Sequence, residues 1–233
     1  MIKDFIYGIL YTLYPPKCVI CTDIIPVGKR KNFLCDNCKK NIPWKENFIQ
    51  NEICPEENFV FDFGISPFLY RDLRKSIHFF KFNGNKYFGL GFGKLMWEYF
   101  SKNYINMIDE IDMLIPVPIH KKKMKKRGFN QSDIIADEFS RLSNIPCRKD
   151  ILMRNRNTIP QSLLKSRKER KKNLENAFTV ILKDDIENKN IILIDDIYTT
   201  GETVNECARE LYKFGANRVG FFTLSIVHDY TED

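Results

Sequence analysis

Beyond about residue 58, hydrophobic positions alternate between two spacings. Residues 59–65 are aromatic and strand-like, while 73–82 and 87–100 carry apolar residues at helical intervals. A short apolar run bounded by prolines covers 112–118. Residues 131–142 predict a helix with Ile135, Phe139 and Leu142 on one face, followed by a strand over 147–153. Strand runs at 178–182 and 191–194 lead to a helix over 202–214, with Val204, Cys207, Ala208 and Leu211 on one side and Gly215 as its stop. Residues 218–227 form a last strand. The polar, basic stretch 155–173 has little to bury and reads as a mobile loop. Strands alternating with helices predict an α/β fold with a mostly parallel sheet covered on both faces.

The first 58 residues follow another pattern. Ile2, Phe5, Ile6, Ile9, Leu10 and Leu13 give a helix with one apolar stripe, ended by Pro15 and Pro16. Such a stripe docks on the protein's own surface or, alternatively, on a partner or membrane surface. Residues 45–58 are polar and read as a linker. The expected organisation is therefore an N-terminal helix and cysteine module over 1–48 and an α/β domain over 58–233.

Composition narrows this picture. The 233 residues are 43% hydrophobic and 29% charged, enough to build a core and too apolar for a disordered chain. No run approaches the roughly 20 apolar residues of a transmembrane span, and no secretory cleavage site follows the start, so a reducing cytoplasm is the expected setting. The net charge of +7 is unevenly placed. Six positive charges sit at Lys121, Lys122, Lys123, Lys125, Lys126 and Arg127, and a net five over 165–172, so the remainder is mildly acidic. Two solvated surface runs would suffice to explain this. A polyanionic partner, phosphate ester or nucleic acid, is the functional alternative.

Cys18 and Cys21 form one CxxC pair and Cys35 and Cys38 another, with thirteen residues between. Two such knuckles supply the four sulfurs of a tetrahedral, structural zinc site, and the same thiolates would suit an iron–sulfur centre or redox dithiols. Cys54, Cys147 and Cys207 stand apart; Cys207 falls on an apolar helix face, and Cys54 could lie near the cluster. Gly89, Gly91 and Gly93 miss the dinucleotide fingerprint, and Asp62-Phe63-Gly64 lacks the other kinase elements.

The most informative segment is 191–204. Four apolar residues precede Asp195 and Asp196, then Thr199, Thr200, Gly201, Glu202 and Thr203 open a helix. A helix start at the carboxyl end of a buried strand offers unpaired N–H groups and a positive dipole end to a phosphate. Two acids there would repel that phosphate, but they can accept hydrogen bonds from vicinal hydroxyls. Together these features suit a ribose 5-phosphate. The plain alternative is a helix-capping turn.

This segment resembles the 5-phosphoribosyl-1-pyrophosphate (PRPP) loop of the type I phosphoribosyltransferases. That resemblance implies that Asp195 and Asp196 bind the ribose hydroxyls and 199–203 the 5-phosphate. The whole chain is similar to the ComF family of competence proteins. The likeness lies in the cysteine module ahead of the α/β domain, in Pro116 to His120 leading to Arg127, Gly128, Phe129, Asn130 and Gln131, and in Gln161, Leu164, Arg167, Arg170, Asn173 and Phe178 downstream. It implies a sheet of phosphoribosyltransferase kind, Mg²⁺ with PRPP, and Arg127 and Gly128 at the pyrophosphate. Arg167 and Arg170 would lie on a closing lid. It also implies handling of single-stranded DNA during natural competence beside other competence-machinery proteins, for which Phe79, Phe80, Phe82, Tyr87 and Phe88 supply stacking surface unless they are core. A working transferase, moving ribose 5-phosphate onto a nucleobase or amine, is the other reading; a transcriptional regulator that kept the pocket is a weaker one.

Overall fold

The computed structural model describes residues 15–26, 33–45, 59–82, 85–158 and 166–227. The expected N-terminal helix, most of the linker and Cys54 fall outside them. A short helix α1 (Asp36–Lys40) precedes strands β1 (Phe63–Ile65) and β2 (Phe68–Leu69). Helices α2 (Tyr70–Phe82) and α3 (Lys86–Asn103) lead through a 3-10 turn to β3 (Met113–Pro116). Then come α4 (Lys121–Arg127), α5 (Gln131–Ser143), β4 (Leu152–Arg154), α6 (Arg167–Leu174) and β5 (Phe178–Val180). The chain continues with β6 (Asn190–Tyr198), α7 (Glu202–Tyr212) and β7 (Arg218–Ile226).

The sheet runs β1-β7-β6-β3, with β2 also beside β7, and every pairing in it is parallel. An antiparallel ribbon of β4 and β5 stands apart. Side chains alternate faces along a strand, and two cores follow from that alternation. Ile192 and Ile194 of β6, with Phe222 and Leu224 of β7, join Phe80, Phe88, Phe92, Phe100 and Phe139 from α2, α3 and α5. Ile191, Leu193, Val219 and Phe221 face the other way, onto Val204, Cys207 and Leu211 of α7 and Phe178 of the ribbon. Burial on both faces explains the unbroken apolar run at 191–194.

Two expectations are corrected, the limit of β6 and the loop over 155–173, and one run without an assigned element gains one. β6 does not end at 194; it continues to Tyr198, because β7 keeps pairing with it through Ile226 after β3 has stopped at Pro116. The two acids therefore stand on a strand whose β3-side neighbour has ended. The basic run at 121–127 is a helix, capped by the His120 side chain, which accepts from the Lys122 N–H, and by Gly128 in the left-handed region at φ 81°. The stretch expected as a loop over 155–173 contains α6. Ser166 accepts the Glu169 N–H at 3.2 Å, a Ser-x-x-Glu start, and Leu174 anchors the far end in the second core.

The three glycines of α3 are packing devices. A Cβ on Gly89 would strike Ile134 and Phe80, one on Gly93 would strike Glu138 and the Ile135 carbonyl, and one on Gly91 would meet Val19 and Phe33. Their absence lets α3 lie against α5 on one side and the cysteine module on the other. Cys18, Val19, Ile20, Ile25 and Cys38 join the first core, and Trp44 stacks on Phe68 at 4.7 Å. Most of the aromatics that could have served for stacking are core: Phe80 and Phe88 are fully buried and Phe79 packs on Phe88, whereas Phe82 is 59% exposed.

Candidate functional site

Two knuckles bring the four cysteines together. In the first, Lys17 and Ile24 bridge antiparallel, Thr22 donates its N–H to the Cys18 carbonyl at 2.9 Å, and Thr22 takes a left-handed φ of 69°. In the second, Cys35 caps α1, its sulfur accepting the Cys38 N–H at 3.4 Å. All four sulfurs lie within 4.8 Å of one another, and Cys21 Sγ is 3.8 Å from Cys35 Sγ. Zn–S bonds of about 2.3 Å in a tetrahedron require sulfur–sulfur edges of about 3.8 Å, so the set fits zinc. Without an ion, burial pushes the Cys38 thiol up to about 12 and raises the Cys21 thiol, while at Cys35 burial is outweighed by hydrogen bonds from the Cys38 N–H and the neighbouring thiols, which lower it. Four sulfurs close the coordination sphere, as in a structural site.

The second assembly lies where β3 ends beside the extended β6. Successive strand residues diverge, and the two acids meet different partners. Asp195 Oδ1 accepts from Ser132 Oγ at 2.8 Å and from the Asp196 N–H at 2.9 Å. Asp196 pairs with Lys81 Nζ at 2.7 Å. Burial, and next the charge of Asp196, push the Asp195 carboxyl up to about 7 against those donors and Lys81. Asn130 ties the α4–α5 turn to the end of β3, donating to the Val117 carbonyl at 3.0 Å and to Asp133 at 2.6 Å.

Cations crowd the same place. Burial, then the charges of Arg154, Arg127 and Lys81, bring the Lys123 ammonium down to about 8, with Asp195 acting the other way. Arg127 donates to Gln131 Oε1 at 2.9 Å and lies 5.9 Å from the centre of the Phe82 ring. Arg154 bonds Thr158 and lies over Phe178; burial lowers its pKa, and its Nε has no hydrogen-bond partner among the described residues. The loop after β6 completes the group. Gly201 takes φ 76°, and a Cβ there would strike Tyr198 Oη and the Phe59 ring. Thr200 Oγ1 is buried without a hydrogen bond among the described residues. Thr199, Glu202 and Thr203 lie in the same turn into α7.

The structure thus brings Asp195, Asp196, Arg127 and the 199–203 loop to one end of the sheet. Gly128 terminates α4 there, with open space where a Cβ would be. Arg167 and Arg170 lie on α6, which packs against α7; their side chains are outside the described residues. Lys81, Lys123, Ser132 and Arg154 are the groups that sequence reasoning missed. Lys123 was visible only as part of a charge run, and nothing local marks the other three.

A phosphoribosyl transferase domain model matches residues 124–233, and a double zinc ribbon domain model matches 9–56. Competence protein F of Haemophilus influenzae is 35% identical over 115 residues, 49% of this chain and 50% of that protein. Competence protein ComFC of Bacillus subtilis is 34% identical over 165 residues, 68% of this chain and 62% of that protein. The chain is thus similar to competence proteins F and ComFC, and joins a double zinc ribbon match to a phosphoribosyl transferase domain match. DNA utilization protein YhgH of Escherichia coli K12 is 35% identical over 113 residues, 48% of each chain. The chain spans about half the length of the first curated relatives it matches. Among solved structures, glutamine PRPP amidotransferase from B. subtilis overlaps it at a TM-score of 0.39 with 18% identity, over 58% of this chain and 25% of that one. The domain match confirms the sheet as the phosphoribosyltransferase kind, and the zinc ribbon match agrees with the sulfur geometry. No helix among the described residues is long and apolar enough to cross a membrane.

Proposed function

We propose that this chain is a ComF-type protein that binds PRPP, or a related ribose 5-phosphate, together with Mg²⁺, and acts in the handling of single-stranded DNA during natural competence. One observation carries the reading: a carboxylate pair and four cations, Lys81, Lys123, Arg127 and Arg154, share one end of the sheet beside a Thr/Gly loop. Burial and then the neighbouring cations depress the Lys123 ammonium, and an anionic ligand would offset both. A sugar bearing hydroxyls and phosphates offers both complements. Asp195 and Asp196 would accept from the ribose hydroxyls. The N–H groups after Gly201, with Thr199, Thr200 and Thr203, would hold the 5-phosphate. Lys123, Arg127 and Arg154 would face the diphosphate, with Gly128 letting the α4 turn approach. Arg167 and Arg170 on α6 would close over the ligand and exclude water. Mg²⁺ would suit the hard oxygens of the diphosphate and, when bound there, would neutralise its charge. The zinc ribbon would act structurally. The exposed lysines of α4 would contact DNA phosphates, and binding would weaken with salt. The names of the curated relatives, competence and DNA utilization proteins, support the process.

The same cation crowd supports the transferase reading, since it would stabilise a departing diphosphate as the bond to ribose C1 breaks. Calorimetry with PRPP and Mg²⁺, beside a salt titration of single-stranded DNA and an assay of diphosphate release against nucleobases and amines, separates the two. Release abolished by Asp195→Asn with Asp196→Asn favours the transferase. DNA binding that survives those changes but is lost on neutralising 121–127 favours the handling role. If the chain binds neither PRPP nor DNA, both readings are wrong.

A further inference from the structure

The acidic pair is completed by a residue from outside the matched transferase domain, which begins at residue 124. Lys81 stands in the last turn of α2, next to Phe80, which is fully buried against Phe92 and Phe129. Leu73, Ser76, Ile77 and Phe80 form the buried stripe of that helix, so the base of the lysine is set by core packing rather than by a loop. Its ammonium reaches Asp196 Oδ2 at 2.7 Å, and the two side chains are only 19% and 12% exposed.

We propose that Lys81 is a positioning residue of the sugar-phosphate site: its ammonium holds the Asp196 carboxylate in place and offsets the charge of two carboxylates on adjacent residues. This rests on the reading of Asp195 and Asp196 as acceptors for ribose hydroxyls. Adjacent carboxylates at a buried strand end repel each other, and each is held by its own donors. Asp195 has the Ser132 hydroxyl from α5 and the Asp196 N–H. The Asp196 side chain has Lys81. A carboxylate offers about four acceptor positions, so one ammonium leaves room for a ligand hydroxyl on the same group. Among the described residues, the other titratable groups facing the pair are Lys123 from α4 and Arg154 from β4, with the Cys207 thiol of α7 behind Asp195. Arg127 of α4 acts on Lys123. Lys81 acts on both sides of this arrangement: its charge favours the ionised form of Asp195 and disfavours the charged form of Lys123.

The test is a carbon-detected NMR titration of the aspartate carboxyls in the full, ligand-free chain, wild type against Lys81→Met and Lys81→Arg. With the Lys81 charge removed from beside Asp196, the Asp195 midpoint should rise by about one pH unit in Lys81→Met, the low end for a nearby opposite charge, and Lys81→Arg should return it close to wild type. An unchanged midpoint in Lys81→Met overturns the proposal, as does a shift that Lys81→Arg leaves in full. Should Lys81→Met not fold, Lys81→Gln, which keeps a hydrogen-bond donor and loses the charge, must show the same rise. Calorimetry with ribose 5-phosphate and Mg²⁺ near neutral pH is the second arm. Binding should weaken about tenfold or more in the neutral variants and recover as the pH is raised, whereas an equal loss at every pH marks a merely structural lysine and counts against the proposal. Wild type that binds no ribose 5-phosphate or PRPP refutes the ribose reading itself, while the titration of the ligand-free chain still decides whether Lys81 controls the pair.

Discussion

Ligand binding should be linked to the protonation of Asp195, and the structure sets the size of the effect. Burial and the neighbouring Asp196 charge place that carboxyl at about 7 in the ligand-free chain. A carboxyl that must ionise to accept ribose hydroxyls gives up its proton on binding. At about pH 6 it is roughly nine-tenths protonated and at about pH 8 roughly one-tenth, so affinity should rise about tenfold across that interval, about 1.4 kcal/mol. Calorimetry with PRPP and Mg²⁺ in two buffers of different ionisation enthalpy reads both quantities. Close to one proton should be released at the lower pH and nearly none at the higher. The ligand's own phosphate titrates near 6 and adds a background, which Asp195→Asn isolates because it removes only the protein's share. The stability of the free chain carries the opposite signature. Its folded carboxyl binds a proton more tightly than the unfolded one, so this group's contribution is full below about pH 4 and is lost as pH rises through about 7. An affinity that Asp195→Asn leaves with the same pH dependence as wild type would refute the argument.

Three other outcomes are expected. Metal analysis should find about one zinc per chain, and Cys35→Ser or Cys38→Ser should lose it and lower the melting temperature, because the knuckles carry Val19 and Cys18 into the first core. Gly91→Val should destabilise by about 1–3 kcal/mol in chemical denaturation and speed zinc release to a chelator, since a Cβ there meets Val19 Cγ1 at 2.7 Å and the Phe33 ring at 3.0 Å. Replacing the exposed Lys121, Lys122, Lys125 and Lys126 by Gln should weaken single-stranded DNA binding and flatten its salt slope by about 0.7 for each DNA phosphate left without a cation. Ribose 5-phosphate affinity should stay within about twofold in that variant, because Lys123 and Arg127 remain.

How legible the molecule was depends on how local each signal is. The buried run 191–194, the Asp-Asp pair and the Thr/Gly turn occupy fourteen consecutive residues, and the two CxxC pairs are spaced as metal knuckles, so pattern alone located both the loop and the sulfur site. Helix limits at α2, α3, α5 and α7 followed the apolar spacing closely, because burial of one face repeats every few residues. The α6 start was also written locally, as Ser166 and Glu169, but composition outweighed the capping signal there.

The strand limit at Tyr198 and the partners of the acids were decided elsewhere. β6 runs on past Ile194 only because β7 pairs with it there, and Asp195 meets Ser132 across 63 residues of sequence. Lys81 reaches Asp196 from a helix more than a hundred residues away, and Arg154 enters from the ribbon. Short-range order, meaning spacing, caps and ligand knuckles, is encoded by neighbours in the chain and was determined by the sequence by itself. The electrostatic state of the site is a sum over charges that fall off with distance in space, and only the tertiary structure brought those charges within reach of one another.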